Sequence, residues 1–198
     1  MKCFFSIFFL FIIQVSFAQE NKTIDSLVVK SLSQASDTVK VMKIINILGE
    51  NYAYYKSRFE FIPSINPLNP KKLKRISSKF GKRFHPIDNK TKRHLGIDIS
   101  SKKGTAIHAS AAGTVIEVII SNDGYGNQVI IKHDYGFTTR YAHMHSSIVS
   151  EGEAIKKGKI IGFVGNSGKS NGHHLHYEIL KYNLAIDPYP FCFLNLDQ

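Results

Sequence analysis

The sequence predicts an all-β domain, an antiparallel two-sheet sandwich or partly open barrel, preceded by a short α-helical segment. Three observations carry this. From about residue 76, short apolar and β-branched runs recur, most of them closed by Gly-containing turns. No helical periodicity separates these runs, which argues against parallel strands joined by helices. Upstream, Ile24, Leu27, Val28 and Leu32 fall at helical spacing instead.

Residues 1–18 read as a signal peptide. Lys2 supplies a basic start, and Phe4 to Phe17 is apolar apart from Ser6, Gln14 and Ser16. Ser16 and Ala18 are the small residues a signal peptidase needs, so cleavage is expected after Ala18. The run is short beside the roughly 20 residues of a membrane span. The expectation is export to the periplasm or medium, association with the cell envelope, and no integral span after processing. Residues 19–61 form the helical segment. Ser36-Asp37 resembles an N-cap, and Val39, Met42, Ile45, Ile47, Leu48, Tyr52 and Tyr55 follow it. A hairpin of short helices could pack on the next domain, cover its cleft or bind a partner. Residues 62–75 read as a basic linker punctuated by Pro63, Pro67 and Pro70.

Residues 76–198 carry the strands. Ala106 to Ala109 is brief. Gly113 to Ile120 is β-branched, and Asp123-Gly124-Tyr125-Gly126 makes a tight turn after it. Gln128 to His133, Phe137 to His143, Ile160 to Val164 and His174 to Leu180 follow as further strands. Ser146 and Ser147 suggest that the strand through His143 stops before His145 can join its face.

The formal net charge is +11. Lysines and arginines cluster at Lys71, Lys72, Lys74, Arg75, Lys79, Lys82 and Arg83, and again at Lys156, Lys157 and Lys159. A chain this basic associates with polyanions. For an exported protein the polyanion is peptidoglycan or another anionic envelope polymer, not nucleic acid. Cleavage leaves Cys192 alone, which excludes an internal disulfide in the mature chain and reads as a buried thiol.

The chemistry concentrates in the nine histidines. In a strand, residues two apart share a face, so His174 and His176 aim at one space with Leu175 opposite. His94 and Asp98, four apart, can share a face as well. Two or three imidazoles and one carboxylate suit a catalytic Zn²⁺. His85, His108 and His133 lack such a pattern and read as structural, and His173 falls on the wrong side of the alternation.

The order His94-Leu95-Gly96-Ile97-Asp98, then Arg140-Tyr141-Ala142-His143, then Gly165-Asn166-Ser167-Gly168-Lys169-Ser170-Asn171-Gly172-His173-His174-Leu175-His176-Tyr177-Glu178 resembles the lysostaphin-type zinc endopeptidases of bacterial cell walls. Gly124-Tyr125-Gly126-Asn127 resembles the loop before that family's second long strand. The resemblance runs from about Ile76 to Pro188. It implies one Zn²⁺ per chain held by His94, Asp98 and His176, with a fourth position left for water. It implies His174 as general base, and His143 as the residue that stabilises the tetrahedral intermediate or passes a proton to the leaving amine. Asn127 becomes a candidate substrate contact, Tyr141 either lines the same cleft as a substrate contact or packs structurally, and Glu178 either hydrogen-bonds a ligand or forms a salt bridge. His173 stands where the family usually has Pro, Asn171 where Thr is usual, and Met144 where Leu is usual; no ligand is lost. The implied function is zinc-dependent hydrolysis of peptidoglycan stems or cross-links by a monomer. The alternatives are a non-catalytic wall-binding or regulatory module, and a secreted zinc peptidase acting on a Gly-rich protein.

Overall fold

The structure, a computed structural model, describes residues 22–68, 75–85, 90–194 and 196. The expected signal peptide, the basic residues Lys71, Lys72 and Lys74, and the side chain of His85 lie outside the described set.

The upstream apolar spacing folds as helices. Residues 22–34 are helical (α1), followed by α2 (Thr38–Leu48) and α3 (Tyr52–Tyr55), with a 3₁₀ turn at Lys56–Phe61. Asp37 caps α2: its carboxylate accepts the Lys40 N–H at 2.9 Å, satisfying one of the orphan donors of the first turn. Val28, Leu32, Val41, Tyr52, Tyr55 and Phe59 are buried and continuous with the core of the β-domain.

Among the described residues twelve strands follow, and every pairing among them is antiparallel. They are β1 (Ile76–Ser78), β2 (Gly81–His85), β3 (Lys90–His94), β4 (Ile97–Ser100), β5 (Ala106–His108) and β6 (Gly113–Ile119). Then come β7 (Asn127–Lys132), β8 (Phe137–Ser147), β9 (Ala154–Ile155), β10 (Ile160–Val164), β11 (His174–Lys181) and β12 (Leu184–Ile186). Ten strands form one sheet, seven along the path β1-β4-β11-β8-β7-β6-β9 and β5, β10 and β12 off it, while β2 and β3 make a separate hairpin.

The sheet branches at β8. Phe137 to Ala142 pair with β11, whereas Met144, Ser146 and Ser147 pair with β10, which leads on to β5. β8 therefore runs through to Ser147, past the expected stop, because its last residues gain β10 as a partner. The two layers are parts of one branched sheet. Leu175, Tyr177 and Ile179 of β11 point into the core, and the Tyr141 and Tyr177 rings meet with centroids 5.3 Å apart. Each such fully buried side chain contributes about 1.5–3 kcal/mol relative to exposure.

Residues 60–68 lie along the β-domain and are hydrogen-bonded to it. Ala112 donates to Glu60 O at 2.8 Å, Ser64 to Ser110 O at 3.1 Å, and His108 to Pro67 O at 2.8 Å. Ile62 and Leu68 are wholly buried. The helical segment docks on the end of β11. Lys181 Nζ donates to the carbonyls of Leu32 and Tyr135 and lies 4.0 Å from the Phe137 ring centroid, and Tyr182 donates to Ser33 O at 2.9 Å. At roughly 3.3 Å per residue, Lys181 is about 17 Å along the strand from His176. These contacts seat the helices away from the histidine cluster, so they do not support a cover over the cleft.

Candidate metal and catalytic site

The central strands β4, β11 and β8 bring the motif residues together. His176 pairs with Asp98 on one side and with Ala142 on the other. His94 ends β3 and Asp98 is the second residue of β4, so the pair spans a turn and is not one face of a single element. Gly96 makes that turn feasible: a Cβ there would sit 2.3 Å from the Tyr177 carbonyl oxygen. Regular alternation along β11 puts His174, His176 and Glu178 on one face.

Three donor atoms converge. His94 Nε2 lies 3.0 Å from His176 Nδ1 and 3.2 Å from Asp98 Oδ1, and His176 Nδ1 lies 2.8 Å from Asp98 Oδ1. All three residues are buried, and they are the one such metal-capable cluster among the described residues. The opposite ring nitrogens are committed: His94 Nδ1 donates to Lys79 O at 2.8 Å, and His176 Nε2 donates to Glu178 Oε1 at 3.0 Å. In the neutral rings this leaves two bare nitrogens facing a carboxylate oxygen. Such a trio repels itself unless a cation or proton is shared. Tetrahedral bonds of 2.0–2.1 Å to Zn²⁺ space ligand atoms by about 3.3 Å, so the triangle has the right scale and chemistry for that ion. Burial raises the Asp98 carboxyl pKa, but the His176 and His94 hydrogen bonds outweigh it and hold it well below the usual carboxylate range. Burial likewise opposes charge on His176, yet the bonds to Asp98 and Glu178 raise its pKa overall.

Glu178 is braced in turn. Tyr125 donates its hydroxyl to Glu178 Oε1 at 2.6 Å, and Arg140 Nε stands 3.6 Å from Oε2, an ionic rather than hydrogen-bonding distance. Burial and the neighbouring Glu178 push the Tyr125 hydroxyl far up, so it stays a donor. Glu178 thus combines the ligand-orienting bond and the salt bridge between which the sequence left a choice. Carboxylate support of a ligating imidazole fixes its tautomer and ring orientation.

Two further imidazoles border the donors. His174 donates Nδ1–H to Gly172 O at 2.8 Å, and its Nε2 lies 3.7 Å from Asp98 Oδ1. His143 donates Nδ1–H to Ser167 O at 2.8 Å, and its ring lies 4.8 Å from His174 and 5.9 Å from His176, centroid to centroid. In both, Nε2 is left for chemistry. Burial pushes the His143 pKa down to about 4, so its ring is neutral at neutral pH. His143 reaches the site because its backbone is left-handed (φ 56°), which breaks the alternation of β8. Packing of the 124–127 loop on Ser167 holds this arrangement; a Cβ on Gly126 (φ 65°) would sit 2.4 Å from Ser167.

That break corrects one expectation. Tyr141, two residues before His143, does not share its face. It is wholly buried, with its hydroxyl 2.8 and 2.9 Å from Ser110 N and Oγ and 3.1 Å from Thr139 Oγ1. Asn127 is half-buried and bonded within the protein. Its Oδ1 accepts from Ser121 N at 3.0 Å and its Nδ2 donates to His145 O at 3.3 Å, so the side chain clamps two loops. His133 is buried between Ala112 O and Thr139 Oγ1, His108 bonds Gly158 O, and His173 is exposed. Tyr125, Arg140 and Ser167 were missed as site residues. Arg140 could have been found from its alternation with Ala142, which faces His176; Ser167 and Tyr125 act through long-range contacts that leave no spacing signal.

Residues 92–188 match the model of Peptidase family M23. The chain is similar to the DD-carboxypeptidase/endopeptidase Mpg of Neisseria meningitidis serogroup B, 46% identical over 61% of this chain and 28% of that protein. It is also similar to the peptidoglycan DD-endopeptidase ShyC of Vibrio cholerae, 37% identical over 72% of this chain and 33% of that protein. The chain therefore spans about a third of the length of these curated relatives, or less. Among solved structures, the catalytic domain of the antimicrobial peptidase lysostaphin from Staphylococcus simulans superposes with a TM-score of 0.55 at 30% identity, covering 60% of this chain and 92% of that domain. With motif residues gathered at one place on a fold shared with nearly the whole of that domain, the chain belongs to peptidase family M23.

Proposed function

We propose that this chain is a zinc-dependent endopeptidase that hydrolyses peptide bonds in the stems or cross-links of peptidoglycan. One observation carries the reading: two imidazoles, each tied to a backbone carbonyl through Nδ1, present Nε2 beside a complete three-donor cluster. The names of the relatives, a DD-carboxypeptidase/endopeptidase and a peptidoglycan DD-endopeptidase, support the substrate class. The basic charge and the apolar run Phe4 to Phe17 support an exported, envelope-associated protein.

His94, Asp98 and His176 would hold the ion, which when bound supplies a Lewis acid and a water reactive near neutral pH. Peptide hydrolysis needs one proton taken from water and one delivered to the leaving nitrogen. His174, whose Nε2 is 3.7 Å from Asp98, takes the first as general base. The neutral His143 lines the same space through Nε2, where it accepts that proton in turn and returns it to the leaving amine. Such assistance is worth roughly 10²–10⁴-fold in rate. A complete donor set flanked by both histidines favours this enzyme over a wall-binding module without activity.

The test is incubation of the protein with purified sacculi, with and without chelator, beside His176→Ala. Release of new amine termini that chelator and His176→Ala both abolish is expected. Release indifferent to both would overturn the reading, and so would the absence of release.

A further inference from the structure

Tyr125 makes two connections outside the reaction scheme above. Its hydroxyl donates to Glu178 Oε1 at 2.6 Å, the same oxygen that accepts His176 Nε2–H at 3.0 Å. Its ring lies 5.2 Å from the His176 ring, and the Arg140 guanidinium stacks 4.7 Å from its centroid. Its backbone carbonyl accepts the His143 N–H at 2.9 Å. Two residues on, Asn127 N–H donates to Ser167 Oγ at 2.8 Å, and Ser167 O accepts His143 Nδ1–H. One turn therefore grips a metal-donor histidine through its side chain and a proton-transfer histidine through its backbone.

We propose that Tyr125 is a positioning residue: through Glu178 it locks the His176 ring with Nδ1 toward His94 and Asp98, and it ties that ring to the backbone holding His143. The proposal rests on the zinc reading above. Glu178 has two competing attractions, His176 on Oε1 and Arg140 beside Oε2 at 3.6 Å. The Tyr125 hydroxyl decides the contest by bonding Oε1, which keeps the carboxylate turned toward His176. The ring stack with Arg140 holds that arginine over the tyrosine. Without the hydroxyl, the carboxylate can rotate toward Arg140 and free His176 Nε2, and the ring loses its fixed orientation. Loss of such support lowers metal affinity by about 10- to 100-fold.

The experiment is a double-mutant cycle read as zinc affinity, by chelator competition on the full chain. Tyr125→Phe keeps the ring and its stack and removes only the hydroxyl; its affinity is expected to fall about tenfold, the low end for such support. In the Glu178→Ala background the same change should alter affinity less than about twofold, because the partner through which Tyr125 acts is gone. If Glu178→Ala does not fold, Glu178→Gln serves as the background, and the Tyr125→Phe loss should shrink there. Merely structural damage would leave the two losses additive, and additivity overturns the proposal. Wild-type affinity in Tyr125→Phe overturns it too. A wild-type chain that holds no zinc would instead remove the zinc reading, and the proposal with it.

Discussion

The buried His133 makes folding stability depend on pH in a way that can be worked out in advance. Its ring is wedged between Ala112 O at 2.6 Å and Thr139 Oγ1 at 2.8 Å, in the core and on the far side of β8 from the histidine cluster. Burial pushes its pKa from 6.5 to about 4. The folded-state value is depressed, so between these limits the unfolded chain binds a proton that the folded chain refuses. Stability is unaffected well above pH 6.5 and falls as pH drops through the window, with the full loss reached below about 4. At 1.36 kcal/mol per unit, the loss between pH 7.5 and 4.5 is about 2.5 kcal/mol. His133→Gln removes this titration at some fixed cost in hydrogen bonding. Urea unfolding of metal-free wild type and variant at pH 7.5, 6.5, 5.5 and 4.5 gives the difference between them. Their stability gap should narrow by about 2.5 kcal/mol toward pH 4.5, because only the wild type carries the penalty. A gap that stays constant across the window would refute the reasoning. His143 and Asp98 also titrate, but they do so in both proteins and cancel.

Removing zinc should lower the melting temperature: an ion present at a hundred times its dissociation constant contributes about 2.7 kcal/mol, or roughly 5–10 °C for a chain of this size. His94→Ala should melt at one temperature with or without chelator in differential scanning calorimetry. His143→Ala and His174→Ala should each lower kcat on peptidoglycan fragments by about 10²–10⁴-fold, while elemental analysis still finds one zinc per chain. Lys181→Met removes charge-assisted bonds to Leu32 O and Tyr135 O, each worth about 1.5–3 kcal/mol. Amide exchange should then quicken in residues 22–34 with turnover unchanged, because Lys181 is at the opposite end of β11 from the site.

The candidate site was legible where the strand is regular. His174, His176 and Glu178 lie on β11 without interruption, so a two-residue period placed all three on one face. The same rule misplaced Tyr141, because His143 adopts a left-handed backbone that no spacing announces. The role of Asn127 was hidden for another reason: its partners Ser121 and His145 come from two different turns. Helices upstream were legible from the apolar period and the Asp37 cap, but where they dock was not. Lys181 and Tyr182 meet Leu32 and Ser33 across 149 positions, and hydrophobic patterning carries no information about such a pairing. The branch at β8 was likewise invisible, since it depends on which neighbour takes up the edge of Met144 to Ser147.

The placement of β11 between β4 and β8 sets the order in which the candidate site is assembled. Asp98 and His143 are made before β11 and sit on strands that do not pair with each other; the strand carrying His174 and His176 lies between them and joins them. That closing strand is the penultimate one in the sheet, and its insertion joins segments nearly eighty residues apart, the slow kind of contact to form. A chain without β11 therefore carries two of the three donors and none of the geometry. On the proposed function, peptide cutting would begin only once β11 has paired with both β4 and β8.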